Sequence, residues 1–243
     1  MRLSSFAGSD VGRMRSGNED SYFCGQTVFA VADGLGGHQG GEVASAAAVE
    51  LLARLDSREF TDPSAAAEAL ANAIREGNEA ILDRAADDPS LYGMGTTVTA
   101  AAVAGGRHLQ LAHIGDSRAY LLREGELAQL TTDHTVVGEL VRRGRLTPEQ
   151  AAIHPERSIL TRAVGLDPRV PVDLPDPLEL RPGDQVLLCS DGLTETVEDA
   201  QIAELLSAGP DGDAACRSLI DMRPTEFLPV KLKALLTLLV LLY

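Results

Sequence analysis

Apolar runs and charged, glycine-bearing turns alternate along this chain, and the runs have two characters. Val28, Phe29, Ala30, Val31 and Ala32 form an unbroken apolar stretch of the length expected of a buried strand. The stretch closes on a carboxylate, Asp33, and then Gly34, Gly36, Gly37, Gly40 and Gly41 follow in quick succession. From Glu42 the composition turns to alanine, and Val43 to Leu55 reads as a helix. A second helix is predicted from about Ala65 to Ala86, after the start signal Asp62-Pro63-Ser64. Upstream, residues 5 to 33 read as short strands joined by the polar loop VGRMRSGNEDS, which carries Arg13, Arg15, Asn18, Glu19 and Asp20.

The second half repeats the device. Gly93 to Val103 and Arg107 to Thr131 read as a meander of antiparallel strands, with turns at Gly105-Gly106, Gly115-Asp116 and Glu124-Gly125-Glu126. From Asp133 to Gly165 the pattern becomes helical and charged, with a segment at Val136 to Arg143 and a helix start at Thr147-Pro148-Glu149. Pro168 to Pro177 is an extended connector. Gln185 to Cys189 is another buried strand, ending at Asp191-Gly192, and helices follow at about Asp199 to Ser207 and Asp213 to Asp221. No repeat of solenoid type is present.

Composition narrows the function classes. The 243 residues show no dividing linker, so one large domain is expected, with enough apolar residues (44%) for a sizeable core. A formal charge of −15 and a pI near 4.7 argue against nucleic acid, whose phosphates such a surface repels. The three cysteines, Cys24, Cys189 and Cys216, show neither metal-ligand spacing nor an even count for disulfides, which points to a reducing, cytoplasmic setting. The N-terminal MRLSSFAGSD has no apolar signal core. Ala234 to Tyr243 is apolar apart from Thr237 but too short to cross a bilayer, so no transmembrane span is expected.

The candidate chemistry lies in the acids that close the apolar runs: Asp33-Gly34, Gly115-Asp116 and Asp191-Gly192. Together with Glu19 and Asp20 they form an all-oxygen set suited to hard divalent ions such as Mg²⁺ or Mn²⁺. Asp and Gly are also ordinary turn residues, and spacing alone does not bring these acids together. A dinucleotide-binding alternative needs G-x-G-x-x-G. Gly34 and Gly36 fit, but the third position is Gln39 and Asp33 would repel a pyrophosphate.

Eight segments in order bear a family resemblance. They are G-R-M-R-S-G-N-E-D from Gly12, V-A-D-G-L-G-G-H-Q-G-G-E-V-A-S from Val31, G-T-T from Gly95 and H-I-G-D-S-R-A-Y from His113. L-T-T-D-H-T from Leu130, L-T-P-E-Q-A-A-I-H-P from Leu146, L-T-R-A-V-G from Leu160 and L-L-C-S-D-G-L from Leu187 complete the series. Over roughly residues 5 to 221 the chain resembles the bacterial type 2C, metal-dependent serine/threonine protein phosphatases. The resemblance implies an α+β fold, a four-layer α/β/β/α sandwich of two antiparallel sheets flanked by helices. It also implies hydrolysis of phosphoserine and phosphothreonine on proteins by a metal-bridging hydroxide, in opposition to bacterial Ser/Thr kinases. Asp33 would bridge two ions, with Glu19 and the Gly34 carbonyl completing one site and Asp191 serving the other. Asp116, with Asp191, would hold a third ion, and Asp20 would orient metal-bound water. Arg15 would bind the substrate phosphate through its planar fork, and His38 would be the general acid for the leaving oxygen. Residues from about 133 to 160 would form the flap, with His134 and His154 structural, and the protein would act as a monomer.

The ending departs from the family pattern. The family closes with a G-x-D-N-x-T type motif whose Asp completes a metal site, and this chain contains no Asp-Asn pair. The resemblance therefore divides the chain into a phosphatase-like domain, 1–221, and a divergent tail, 222–243. Glu226, Asp221 or water would take the missing ligand's place. The tail would either fill the position of the family's last strand, although leucine favours helix, or form an adhesive extension. A catalytically impaired relative that binds phosphoproteins or regulates a partner is the competing function.

Overall fold

In the strand Val28–Leu35, neighbouring residues turn to opposite partners. Val28, Ala30 and Ala32 pack among helices, while Phe29 and Val31 pack against a second sheet. Both faces are buried, which is why the run is apolar without alternation. The computed structural model describes residues 3–11, 17–36, 39–208, 212–222 and 235–242.

Eleven described strands form two antiparallel sheets. They are β1 (Leu3–Asp10), β2 (Asp20–Cys24), β3 (Val28–Leu35), β4 (Gly95–Thr96), β5 (Val98–Ala104), β6 (His108–Ile114), β7 (Arg118–Arg123), β8 (Glu126–Gln129), β9 (Leu178–Glu179), β10 (Gln185–Cys189) and β11 (Leu235–Leu242). One sheet runs β1-β11-β10-β7-β8, and the other runs β2-β3-β5-β6-β9 with β4 alongside β3.

Helices α1 (Gln39–Ala53) and α2 (Pro63–Asp87) cover the outer face of the second sheet through an alanine-rich core. On the far side, α5 (Asp191–Thr194), α6 (Asp199–Ser207) and α7 (Gly212–Asp221) pack Leu193, Ile202, Leu206 and Leu219 onto Tyr120, Leu122, Leu187 and Cys189. Ala119, Leu121, Val186 and Leu188 point the other way, toward Phe29, Val31 and Leu111 between the sheets. The result is the four-layer α/β/β/α sandwich expected from the resemblance.

Helix starts follow the sequence signals closely where a cap exists. The Asp62 side chain accepts from the Ala65 amide at 3.0 Å, with Pro63 in the first turn of α2. The start of α1 differs from expectation: the helix begins at Gln39, not at Val43, and takes in Gly40 and Gly41. Glycine is a poor helix former, but tertiary packing at Gly41 overrides propensity here. At the other end of α1, the Asp56 carboxylate accepts the amides of Gln26, Thr27 and Val28, tying the β2–β3 turn to the helix.

The meander is also modified. β5 pairs with β6 and β7 pairs with β8, but β6 and β7 belong to different sheets. Gly115-Asp116 is therefore a crossover between sheets and not a hairpin turn. Gly115 stands at φ +110, where a side chain is strained, and a Cβ there would lie 2.6 Å from Thr97.

The Leu-rich ending supplies β11, an interior strand between β1 and β10, with Leu239 opposite both Phe6 and Leu187. Glu226 lies outside the described residues, and Asp221 is exposed at the last position of α7. No helix among the described residues is long and apolar enough to cross a membrane.

Candidate active site

Strand register gathers the acids at one end of the sandwich. Asp20, at the start of β2, sits opposite Asp33, near the end of β3. Val98, at the start of β5, pairs with Ile114, so the Gly115-Asp116 crossover emerges at this same end. In the other sheet, Arg118 at the start of β7 pairs with Cys189 at the end of β10, two residues before Asp191. Glu19, Asp20, Asp33, Gly34, Asp116 and Asp191 thus share one end, drawn from both sheets. Arg15 and His38 lie outside the described residues.

Asp33 is held through its main chain. Its N–H donates to Thr97 Oγ1 at 2.9 Å, and its carbonyl accepts from the Thr97 amide and from Thr96 Oγ1, each at 2.9 Å. Thr97 Oγ1 is also 2.7 Å from the hydroxyl of Ser117, the residue after Asp116. All three hydroxyl residues are buried. This network links the strand that carries Asp33 to the crossover that carries Asp116.

A second tie spans the sheets. Ser190 Oγ donates to Asp20 Oδ2 at 2.9 Å, joining the start of β2 to the residue before Asp191. Around the next position, the chain needs glycine because of close approach. The Gly34 amide donates to the Glu19 carbonyl at 3.2 Å, and a Cβ on Gly34 would lie 2.6 Å from that oxygen and collide with the Gly41 main chain. Only a bare Cα lets the entry to β2, the exit of β3 and the first turn of α1 press together.

These donors fit hard divalent ions. Asp33 and Asp191 are 5% and 6% exposed, and burying carboxylates is costly unless hydrogen bonds or cationic charge compensate. The set is all oxygen, the chemistry that Mg²⁺ and Mn²⁺ take. Among the described residues, no three His, Cys, Asp or Glu side chains already stand as a closed ligand group. The acids share an end without forming a preformed cage.

The helical segment expected to be the flap lies beside this end. Its base is the Thr135–Leu160 bridge, reinforced by Val136 N donating to Ile159 O at 2.9 Å and Thr161 N to His134 O at 2.8 Å. Between lie α3 (Val136–Arg142) and α4 (Pro148–Ala152), the latter opened by a Thr147–Gln150 capping box. A cavity of about 610 Å³ separates flap and sheets, with Asp116, Asp191 and Asp133 on one side and Val141, Arg142 and Arg157 on the other.

Three polar groups fix the root of this segment. Arg118 donates from Nε and Nη2 to the Asp133 carboxylate, the shortest contact being 2.7 Å. Burial alone would weaken the guanidinium's hold on its proton, but Asp133 outweighs it and the pKa rises. His134 accepts the Gly115 amide on Nδ1 at 3.1 Å, which leaves the proton on Nε2 to be donated to Asp173 Oδ2 at 2.9 Å. His113 lies with its ring centroid 4.9 Å from that of His134, within hydrogen-bonding distance of Thr99 and the Thr132 carbonyl. Burial, with His134 adjacent, pushes the His113 pKa down to about 4, and burial lowers that of His134 too. His134 carries the structural role its sequence context suggested. Thr97, Ser117 and Ser190 were missed as site residues; Ser117 and Ser190 directly flank Asp116 and Asp191, whereas Thr97 has no acid beside it in sequence.

Comparisons with known proteins give the family and the fold. A family model described as protein phosphatase 2C matches residues 15–211. The serine/threonine protein phosphatase PstP of Mycobacterium tuberculosis is 47% identical over 214 residues, 87% of this chain and 40% of that protein. The chain therefore spans well under half the length of that relative. The serine/threonine phosphatase stp of Listeria innocua is 41% identical over 209 residues, covering 82% of this chain and 81% of its own. Among solved structures, the catalytic domain of PstP in complex with two manganese ions superposes with a TM-score of 0.85 at 40% identity, covering 98% of this chain and 97% of that one.

Proposed function

Because this chain belongs to the protein phosphatase 2C family, we propose that it is a metal-dependent phosphatase acting on phosphoserine and phosphothreonine in proteins. The observation that carries this reading is the convergence, by strand register, of Asp33, Asp20, Asp116 and Asp191 at one end of the sandwich. Asp33 would serve two ions, Glu19 and the Gly34 carbonyl would complete one site, and Asp191 would serve the other. Asp116 and Asp191 would hold a third. Mn²⁺ or Mg²⁺ held there would supply Lewis acidity and a nucleophilic water at neutral pH. Arg15 grips the phosphate oxygens as a planar fork, and His38 delivers a proton to the departing serine or threonine oxygen. Asp20 would orient metal-bound water.

The opposing activities are Ser/Thr kinases, the partners are phosphorylated proteins, and the enzyme works as a cytoplasmic monomer. The test is hydrolysis of a phosphothreonine peptide with a parallel calorimetric Mn²⁺ titration. Turnover should saturate with Mn²⁺ and vanish with chelator despite the absence of an Asp-Asn pair. Asp33→Asn should lower kcat/KM by at least about a thousandfold, because it removes the charge shared between two cations. A wild-type rate in that variant would rule out the binuclear site.

A further inference from the structure

Ser190 stands at the N-cap of α5, a position where a serine hydroxyl ordinarily accepts an amide of its own helix. It makes no such bond. The side chain is completely buried, and its Oγ crosses 170 residues of sequence to donate to Asp20 Oδ2 at 2.9 Å. The hydroxyl is thus withheld from the cap and aimed at a carboxylate in the opposite sheet. Its own main chain leads directly into Asp191.

We infer that Ser190 is a positioning residue that sets the distance between the Asp20 side and the Asp191 side of the metal site. The inference rests on the metal-dependent reading of that site. Asp20 lies in β2 of one sheet and Asp191 just beyond β10 of the other, and the sheets meet mainly through apolar side chains, which do not dictate their spacing to tenths of an ångström. A directional hydrogen bond to a charged acceptor does. With Ser190 donating, one Asp20 oxygen is fixed in place before any ion arrives, so ion binding need not order that carboxylate.

The experiment is a double-mutant cycle read as the Mn²⁺ dissociation constant by calorimetry on the full chain. Ser190→Ala removes the donor without losing a helix cap, and Ser190→Cys keeps the size but donates only weakly. Both should weaken Mn²⁺ binding about tenfold, as loss of an outer-layer partner commonly does. In an Asp20→Ala background the same changes should have no further effect, while Ser190→Thr, which keeps the hydroxyl, should stay near the wild-type constant. The cycle separates coupling to Asp20 from general loosening. An unchanged constant in Ser190→Ala, an equal loss with and without Asp20, or failure of both Ser190 variants to fold would overturn the inference. Wild-type protein that binds no Mn²⁺ would instead overturn the phosphatase reading on which it rests.

Discussion

His113 is 1% exposed and uncharged at neutral pH, and that has a measurable cost in acid. An unfolded chain takes up a proton on each histidine near pH 6.5, whereas folded His113 resists until about 4. Between those values the unfolded state binds more protons, so stability should fall as pH drops from 6.5 to 4, by on the order of 3 kcal/mol from His113. His134, shifted in the same direction, adds to the loss. Below that window the lowered carboxylates of Asp56 and Asp184 take over, since each must be protonated against its hydrogen bonds. A series of thermal melts across this range should show the decline beginning above pH 4, and His113→Gln should flatten that first limb. The residues most readable in advance were Asp33, Asp116 and Asp191, because an acid closing an apolar run is conspicuous. Ser190 and Ser117 were not, since a hydroxyl beside a glycine turn looks the same whether it caps, turns or bridges two elements.

Elements are joined by single buried polar groups more than by broad polar surfaces. Asn78, on α2 and 1% exposed, accepts the Gly165 amide on Oδ1 at 2.7 Å and donates from Nδ2 to the Asp167 carbonyl at 2.9 Å. Val164, just before, exchanges backbone hydrogen bonds with Thr96, the residue whose hydroxyl supports Asp33. Asn78→Ala should therefore cost about 1–3 kcal/mol in a urea titration, because a buried amide loses its acceptor. At this scale the helix and strand positions were legible, from start signals such as Asp62-Pro63 and from runs such as Val28 to Ala32. The division of β6 and β7 between sheets was not. An apolar run reports burial on both faces, but nothing in it names the neighbouring strand. The early start of α1 was hidden for a related reason, since Gly41 serves packing against Gly34 at the expense of helix propensity.

The whole molecule depends on its last strand. β11 sits inside a sheet with β1 on one side and β10 on the other, so its backbone is engaged along both edges. Leu239→Pro should remove the cooperative unfolding transition in denaturant melts, because proline in a central strand breaks the ladder and fits poorly between two neighbours. The leucine-rich composition favoured helix on propensity alone, and a vacant sheet position overrode it. The pairing Leu3↔Leu242 runs antiparallel from the outer ends inward to Asp10↔Leu235. Tension applied through residues 3 and 242 would therefore load that ladder at one end only, opening it pair by pair like a zip. Pulled in that direction the domain is mechanically soft, and a protease motor drawing β1 away from β11 from those ends would meet the hydrogen bonds between them one at a time.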